Sequence, residues 1–258
     1  MVRLIGALVV ASVFSVAGCG SGAPPTCSPQ AGCLHVLFIG NSYTYVNDLP
    51  GTLARLAASK GRGLEADTLA SGGASLADHV NDAATVKKLD ARKWDFVVLQ
   101  EQSDTPAYSS IVDSWMLPAA GTLVSEIRQR GESPLLFMTW GHRDGEPDSA
   151  MSYDDMQRAI DGSYLSISHQ LNVPAVPVGV VWFVIRRSHS DIDLWQSDGS
   201  HPTTAGTYLA ACVFYAAIYR DTPAGASYTD GLSADTAGIL QQSAADNVLP
   251  DPAQWGLH

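Results

Sequence analysis

Charge is scarce in this chain. Only 16% of the residues are charged, and the 26 acids outnumber the 15 bases, giving a net charge of −11. A surface of that sign repels a phosphate backbone, so a nucleic-acid partner is excluded. No Gly-x-Gly-x-x-Gly or Gly-Lys-Ser/Thr follows any strand-like run, which removes the usual phosphate-cradling loops and with them a nucleotide-binding role. Cysteine is sparse, at four residues, and no Cys/His spacing suits a zinc site. There is no internal repeat and no break in composition that marks a second domain. The apolar and small-residue run Leu4–Val16 is too short to span a bilayer comfortably.

What is present is apolar material, 46% of the 258 residues, enough for one large, well-filled α/β domain. The N-terminus reads separately. Arg3 followed by Leu4–Val16 has the form of a signal peptide, and Val16-Ala17-Gly18-Cys19 resembles the bacterial lipobox, in which the Cys is diacylated and becomes the new N-terminus. The expected division is a lipoprotein signal peptide over residues 1–18, a lipid-anchored tether over 19–33 and the domain over 34–258. The protein is then exported to the bacterial cell envelope and held to the outer membrane or cell surface through Cys19. An ordinary signal peptide cleaved nearby is the alternative. Outside the cytoplasm Cys27 and Cys33 can close a small loop. Cys212, within an apolar helical pattern, is expected to be a buried free thiol.

From residue 34 onward, short apolar runs alternate with helical patterns. Strands are expected at Leu34–Ile39, Leu64–Leu69, Asp95–Gln100, Pro134–Trp140 and Ala175–Val178. Helices are expected from about Leu49 to Lys60, through Lys88 after Ser71-Gly72-Gly73, and between about Ser110 and Arg130, where Pro118 is a candidate interruption. Others follow at Tyr153–Leu171, Thr203–Tyr219 and about Ala234–Asn247. Strands apolar on both faces and separated by helices imply a mainly parallel sheet of about five strands in a three-layer α/β/α sandwich of flavodoxin-like type. Ligands bind such sheets beyond the carboxyl ends of the strands, so the segments after residues 39, 69, 100 and 140 share one rim.

Those rim segments read Gly40-Asn41-Ser42, Ser71-Gly72-Gly73, Gln100-Glu101-Gln102-Ser103 and Thr139-Trp140-Gly141-His142. Asp198-Gly199-Ser200-His201-Pro202 precedes the closing helix. Singly, each has a structural explanation: Ser42 or Asn47 as a helix cap, glycines for sharp turns, Asp198 and His201 as loop residues. Together they supply a chemistry. A serine hydroxyl needs a base within hydrogen-bond reach, and an imidazole serves if a carboxylate fixes its tautomer. The step from Asp198 to His201 lets both turn inward from one loop. Backbone N–H groups of Ser42 and Gly72, with a side-chain amide from the third loop, can hold an oxyanion.

This set resembles the SGNH, or GDSL-type, hydrolases, over roughly Val36 to Tyr215. The resemblance implies Ser42 as nucleophile, Gly72 within Ser71-Gly72-Gly73 as a backbone oxyanion donor, His201 as base and Asp198 as its orienting carboxylate. It implies no metal and no organic cofactor. Two blocks depart from the pattern. Asn41 stands where Asp is usual, and Gln100-Glu101-Gln102-Ser103 stands where Gly-x-Asn is usual, with Gln102 as the candidate replacement for the oxyanion Asn. Gly73 and His142 are further candidate substrate contacts. His142 can instead bond Asp144 or solvent, Glu101 can point into the next layer, and His79 and His169 read as packing or surface residues. His189 and Asp191 form an alternative dyad. The expected activity is a serine esterase acting on small acyl esters, acetylated carbohydrate among them. A noncatalytic glycan-binding surface lipoprotein on the same fold is the alternative. Oligomeric state is not legible.

Overall fold

The computed structural model describes residues 32–257. The expected signal peptide, Cys19, Cys27 and nearly all of the tether lie outside them. Cys33 is disulfide-bonded. Five strands form one wholly parallel sheet: β1 (Leu34–Gly40), β2 (Leu64–Ala70), β3 (Phe96–Leu99), β4 (Ser133–Phe137) and β5 (Ala175–Val176), in the order β2-β1-β3-β4-β5. Val36, Leu37, Phe38 and Ile39 are all fully buried, because β1 is central and covered on both faces. Ile39 pairs with Leu69 on one side and Leu99 on the other. The chain runs one way from β1 to β2 and the other way from β1 to β3, which opens a crevice at the carboxyl ends of β1 and β3.

The helices are α1 (Ser42–Tyr45), α2 (Leu49–Ser59), α3 (Leu76–Asn81), α4 (Ala83–Leu89), α5 (Ser109–Ile111), α6 (Leu117–Gln129), α7 (Tyr153–Leu171), α8 (Val178–Ser188), α9 (Thr204–Tyr219) and α10 (Ala234–Val248). α9 packs against α2, α8 and α10 on one side of the sheet, while α3, α6 and α7 cover the other. Residues Ala205 to Ala217 of α9 are all buried, as suits a helix apolar around its whole circumference. Cys212 lies there as a free thiol, and burial pushes its pKa up. Among the described residues no helix is long and apolar enough to cross a membrane.

The structure departs from the sequence pattern in four places. The helical stretch ending near Lys88 is two helices, because Asp82 is extended and caps α4 through Ala84 N–H. A π turn, Val112–Met116, joins α5 to α6 in one continuous helical run, and Pro118 follows directly after Leu117, whose N–H donates to Val112 O. β4 ends at Phe137 and β5 at Val176. Pro177 then leads into α8, a helix absent from the expected set. The β-branched run Val178-Gly-Val-Val-Trp-Phe-Val-Ile hides its period, yet its buried residues Val178, Val181, Trp182 and Ile185 have helical spacing.

Candidate active site

At the end of β1 the chain turns sharply into α1. Asn41 caps that helix, its Oδ1 accepting from Tyr43 N–H at 3.1 Å. Asp48 caps α2, accepting from Gly51 N–H. The capping roles that could have explained Ser42 or Asn47 therefore belong to other residues. Ser42 is left at the first helical position with its hydroxyl partly exposed.

The turn is locked from below by Gln100, which is fully buried. Its Oε1 accepts from Asn41 N–H at 2.9 Å and from the Thr44 hydroxyl at 3.0 Å, while its Nε2 donates to Asn41 Oδ1 at 2.9 Å. Asn41 Nδ2 in turn donates to Ala74 O, tying the first loop to the second, and His79 Nε2 lies 2.8 Å from Gly40 O. The Gln100 amide also explains Gly40. A Cβ there would sit 2.4 Å from Gln100 Oε1 and 2.8 Å from Thr44 Oγ1. Gly40→Ala is expected to lower stability by about 1–3 kcal/mol through overpacking, read from the midpoint of urea unfolding. A wild-type midpoint would show that the latch yields freely.

The loop before α9 arrives opposite Ser42. His201 Nε2 lies 2.9 Å from Ser42 Oγ, and His201 Nδ1 lies 2.7 Å from Asp198 Oδ2. Asp198 Oδ1 accepts from Ser200 N–H at 2.9 Å and His201 N–H at 3.0 Å, a geometry that the left-handed Gly199 (φ +72°) permits. Burial tends to raise the Asp198 carboxyl, but the bonds from Ser200 N–H and the His201 ring outweigh it and hold the pKa below its ordinary value. Neighbouring elements fix the loop: Asn47 Nδ2 and Gln196 Nε2 both donate to Pro202 O, and Trp140 Nε1 donates to Ser200 O.

Ser42 and His201 open onto a concavity of about 330 Å³. Gly72, Gly73 and Gln102 line it as well, so the structure gathers these candidates around one hydroxyl. Among the described residues nothing accepts from the backbone N–H of Ser42, Gly72 or Gly73. The Gln102 side chain is partly engaged in its own loop. Its Oε1 accepts from Asp104 N–H at 2.7 Å and Thr105 N–H at 3.1 Å, and its Nε2 has only long contacts, 3.3 Å to Ser103 Oγ and 3.4 Å to Asp104 Oδ2. Glu101 points inward, 1% exposed, and its Oε1 accepts from Gln102 N–H and Leu76 N–H. Burial raises its pKa to about 7.

His142 is not part of this wall. Its Nδ1 lies 2.5 Å from Glu146 Oε1 and its Nε2 3.2 Å from Asp104 Oδ1, rather than meeting Asp144. Asp104, His142 and Glu146 bring ligand-type atoms within 4.8 Å of one another, close enough for three groups of this kind to hold a cation. A second group, Cys33, His35 and Glu65, offers no thiolate because Cys33 is disulfide-bonded. His169 is exposed on α7, His189 ends α8, and Asp191 is exposed beyond it. Sequence reasoning missed Gln100, Asn47 and Tyr43 as organisers of the site. The signal for Gln100 was an amide ending an apolar strand, a place where a polar group is buried only with partners.

No family model and no curated protein matches the chain. Solved structures do. A protein of Slackia heliotrinireducens, inferred to be an SGNH hydrolase, is 31% identical, with 70% of this chain and 97% of that one covered at a TM-score of 0.61. A DUF4886 family protein from Bacteroides uniformis is 20% identical, covering 85% of this chain and 96% of its own, at a TM-score of 0.73. A variant of an acetyl xylan esterase from Geobacillus stearothermophilus is 16% identical, covering 72% and 94%, at a TM-score of 0.56. The last two are similar in fold.

Proposed function

Because the chain belongs to the SGNH-type hydrolase superfamily, we propose that it is a serine esterase whose triad is Ser42, His201 and Asp198. The observation that carries this reading is the continuous chain from Ser42 Oγ through the His201 ring to the Asp198 carboxylate, at 2.9 and 2.7 Å. Asp198 holds the proton on Nδ1 and leaves the Nε2 lone pair facing the serine. Ser42 Oγ attacks the ester carbonyl as its proton passes to Nε2. The carbonyl oxygen, now negative, is held by the N–H groups of Ser42 and Gly72, with the Gln102 amide as a third donor. His201 returns the proton to the departing alcohol. Water, deprotonated by His201, then cleaves the acyl-serine and frees the acid.

The lining supports a short acyl group. Around Ser42 the wall is built from hydroxyls, amides, glycines, the His201 imidazole and the rings of Tyr43 and Tyr45, with no aliphatic side chain. A long acyl chain would find little apolar surface there, forgoing about 0.8 kcal/mol for each CH₂ left in water. The hydroxyls and amides of that wall suit a polyhydroxylated alcohol, and acetylated carbohydrate is the proposed substrate class. Hydrolysis of p-nitrophenyl acetate is expected to exceed that of the octanoate in kcat/KM by at least about 10-fold, measured side by side with purified protein. A preference for octanoate would reject the short-acyl reading. The engagement of Gln102 within its own loop favours a second reading, a noncatalytic glycan-binding protein. Stoichiometric labelling of Ser42 by a fluorophosphonate would discard it, since an unactivated serine reacts poorly.

A further inference from the structure

Tyr43 follows Ser42 directly, but its side chain runs beneath the site and is 2% exposed. Its ring lies flat on Trp140, centroids 4.5 Å apart and planes 7° apart, and Trp140 lies flat on Trp182 at 3.9 Å and 7°. Three stacked rings make a stiff pillar, because each packs against a face that cannot rotate away without opening a void. Two groups on this pillar reach the same residue. The Tyr43 hydroxyl lies 2.7 Å from Ser200 Oγ, and Trp140 Nε1 donates to Ser200 O at 3.0 Å. Ser200 stands between Asp198 and His201, and its own N–H donates to Asp198 Oδ1. The Tyr43 ring also meets the His201 imidazole edge-on, with centroids 5.9 Å apart. Burial pushes the phenol pKa well above its ordinary value, so it stays neutral.

We propose that Tyr43 is a positioning residue that sets, through Ser200, the approach of His201 to Ser42. The inference rests on the esterase reading and extends it. The nucleophile and the phenol leave adjacent residues of one turn, itself clamped by Gln100. The base, by contrast, comes from a loop whose Asp198 and His201 side chains are 47% and 34% exposed. The backbone of that loop is held at its carbonyls, with Arg143 N–H donating to Gly199 O, Trp140 Nε1 to Ser200 O and Asn47 Nδ2 to Pro202 O. The phenol adds a contact to the Ser200 side chain, between the two triad residues that the loop carries. Displacements of about 1 Å at a reacting pair cost as much as 100-fold in rate, so a shift of the His201 ring on loss of this contact is felt in kcat and not in substrate binding.

The test uses Tyr43→Phe, which keeps the stack and deletes the hydroxyl, together with Ser200→Ala and the double variant. Each single change is expected to lower kcat for p-nitrophenyl acetate about 10-fold, the equivalent of one hydrogen bond, with KM within about twofold. The second-order rate of fluorophosphonate labelling at Ser42 is expected to fall by a similar factor. The double variant is expected to be no slower than either single one, because both remove the same contact. Wild-type kcat and labelling rate in Tyr43→Phe would overturn the proposal, as would losses that multiply in the double variant. A wild-type protein that labels at Ser42 but turns over no ester would sink the esterase reading alone, and the ratio of labelling rates would still decide the role of Tyr43. A wild type that neither labels nor hydrolyses would overturn both.

Discussion

Ser42→Ala is expected to reduce kcat for p-nitrophenyl acetate by at least about 10⁴-fold, with His201→Ala close behind, because nucleophile and base act as one unit. The double variant should be scarcely slower than either single variant. Asp198→Asn should also cost on the order of 10⁴-fold, since an amide that donates to Nδ1 presents the wrong tautomer to Ser42. What makes these replacements informative is that the fold does not depend on them. Asn41 supplies the helix cap, Ser42 Oγ hydrogen-bonds only to His201 among the described residues, and the Asp198–His201 pair lies at the surface. Melting temperatures should therefore stay within a few degrees of wild type, and lost rate cannot be assigned to lost structure. Equal rates for wild type and Ser42→Ala would remove the mechanism outright.

Glu101→Gln is expected to make the protein more stable at pH 8 and to flatten its dependence on pH. Glu101 is buried, with the Asp78 carboxylate raising its pKa further, and it titrates near 7 rather than near 4.5. Between those values the folded state keeps a proton that the unfolded chain has lost. More protons bound in the folded state means that stability falls as pH rises, from a plateau below about 4.5 to its lowest contribution above about 7. The full drop is on the order of 3 kcal/mol. Asp161, raised by burial to about 6, adds a decline of the same sign that the Gln variant will retain. Glutamine keeps an oxygen for the N–H groups of Gln102 and Leu76 and never ionises. Urea unfolding at pH 5 and pH 8 reads the difference. An unchanged pH slope in Glu101→Gln would mean that the carboxylate is satisfied in the interior and that its burial carries no such penalty.

Much of the architecture was legible because it follows from local periodicity. Apolar runs such as Val36–Ile39 and Val97–Leu99 can be buried only in a covered parallel sheet, and their spacing leaves room for a helical crossover each. Tyr153–Leu171 was legible to the residue, with Ser152 as its cap and Asn172 in the left-handed conformation as its end. α8 was not, because its β-branched residues mimic a strand and only packing chose between the two periods. At the site, the spacing of Asp198 and His201 within one loop was visible, and the structure joins both to Ser42.

The amides of the third loop show where such reading stops. Gln100 and Gln102 are the same side chain two residues apart, and nothing in the sequence says which one is structural. Beyond the end of β3 the chain leaves the ladder, so the alternation of side chains no longer assigns faces. The packed interior decides: Gln100 is buried against Asn41, while Gln102 reaches the concavity beside Ser42. His142 was likewise a rim residue by sequence and an imidazole between Asp104 and Glu146 in space. The sequence by itself determined the sheet, most of its helices and the chemical types at each strand end, because these depend on period and neighbouring residues. Only the tertiary structure decided which polar side chains meet, because a hydrogen bond across 59 or 159 residues depends on how separate elements pack.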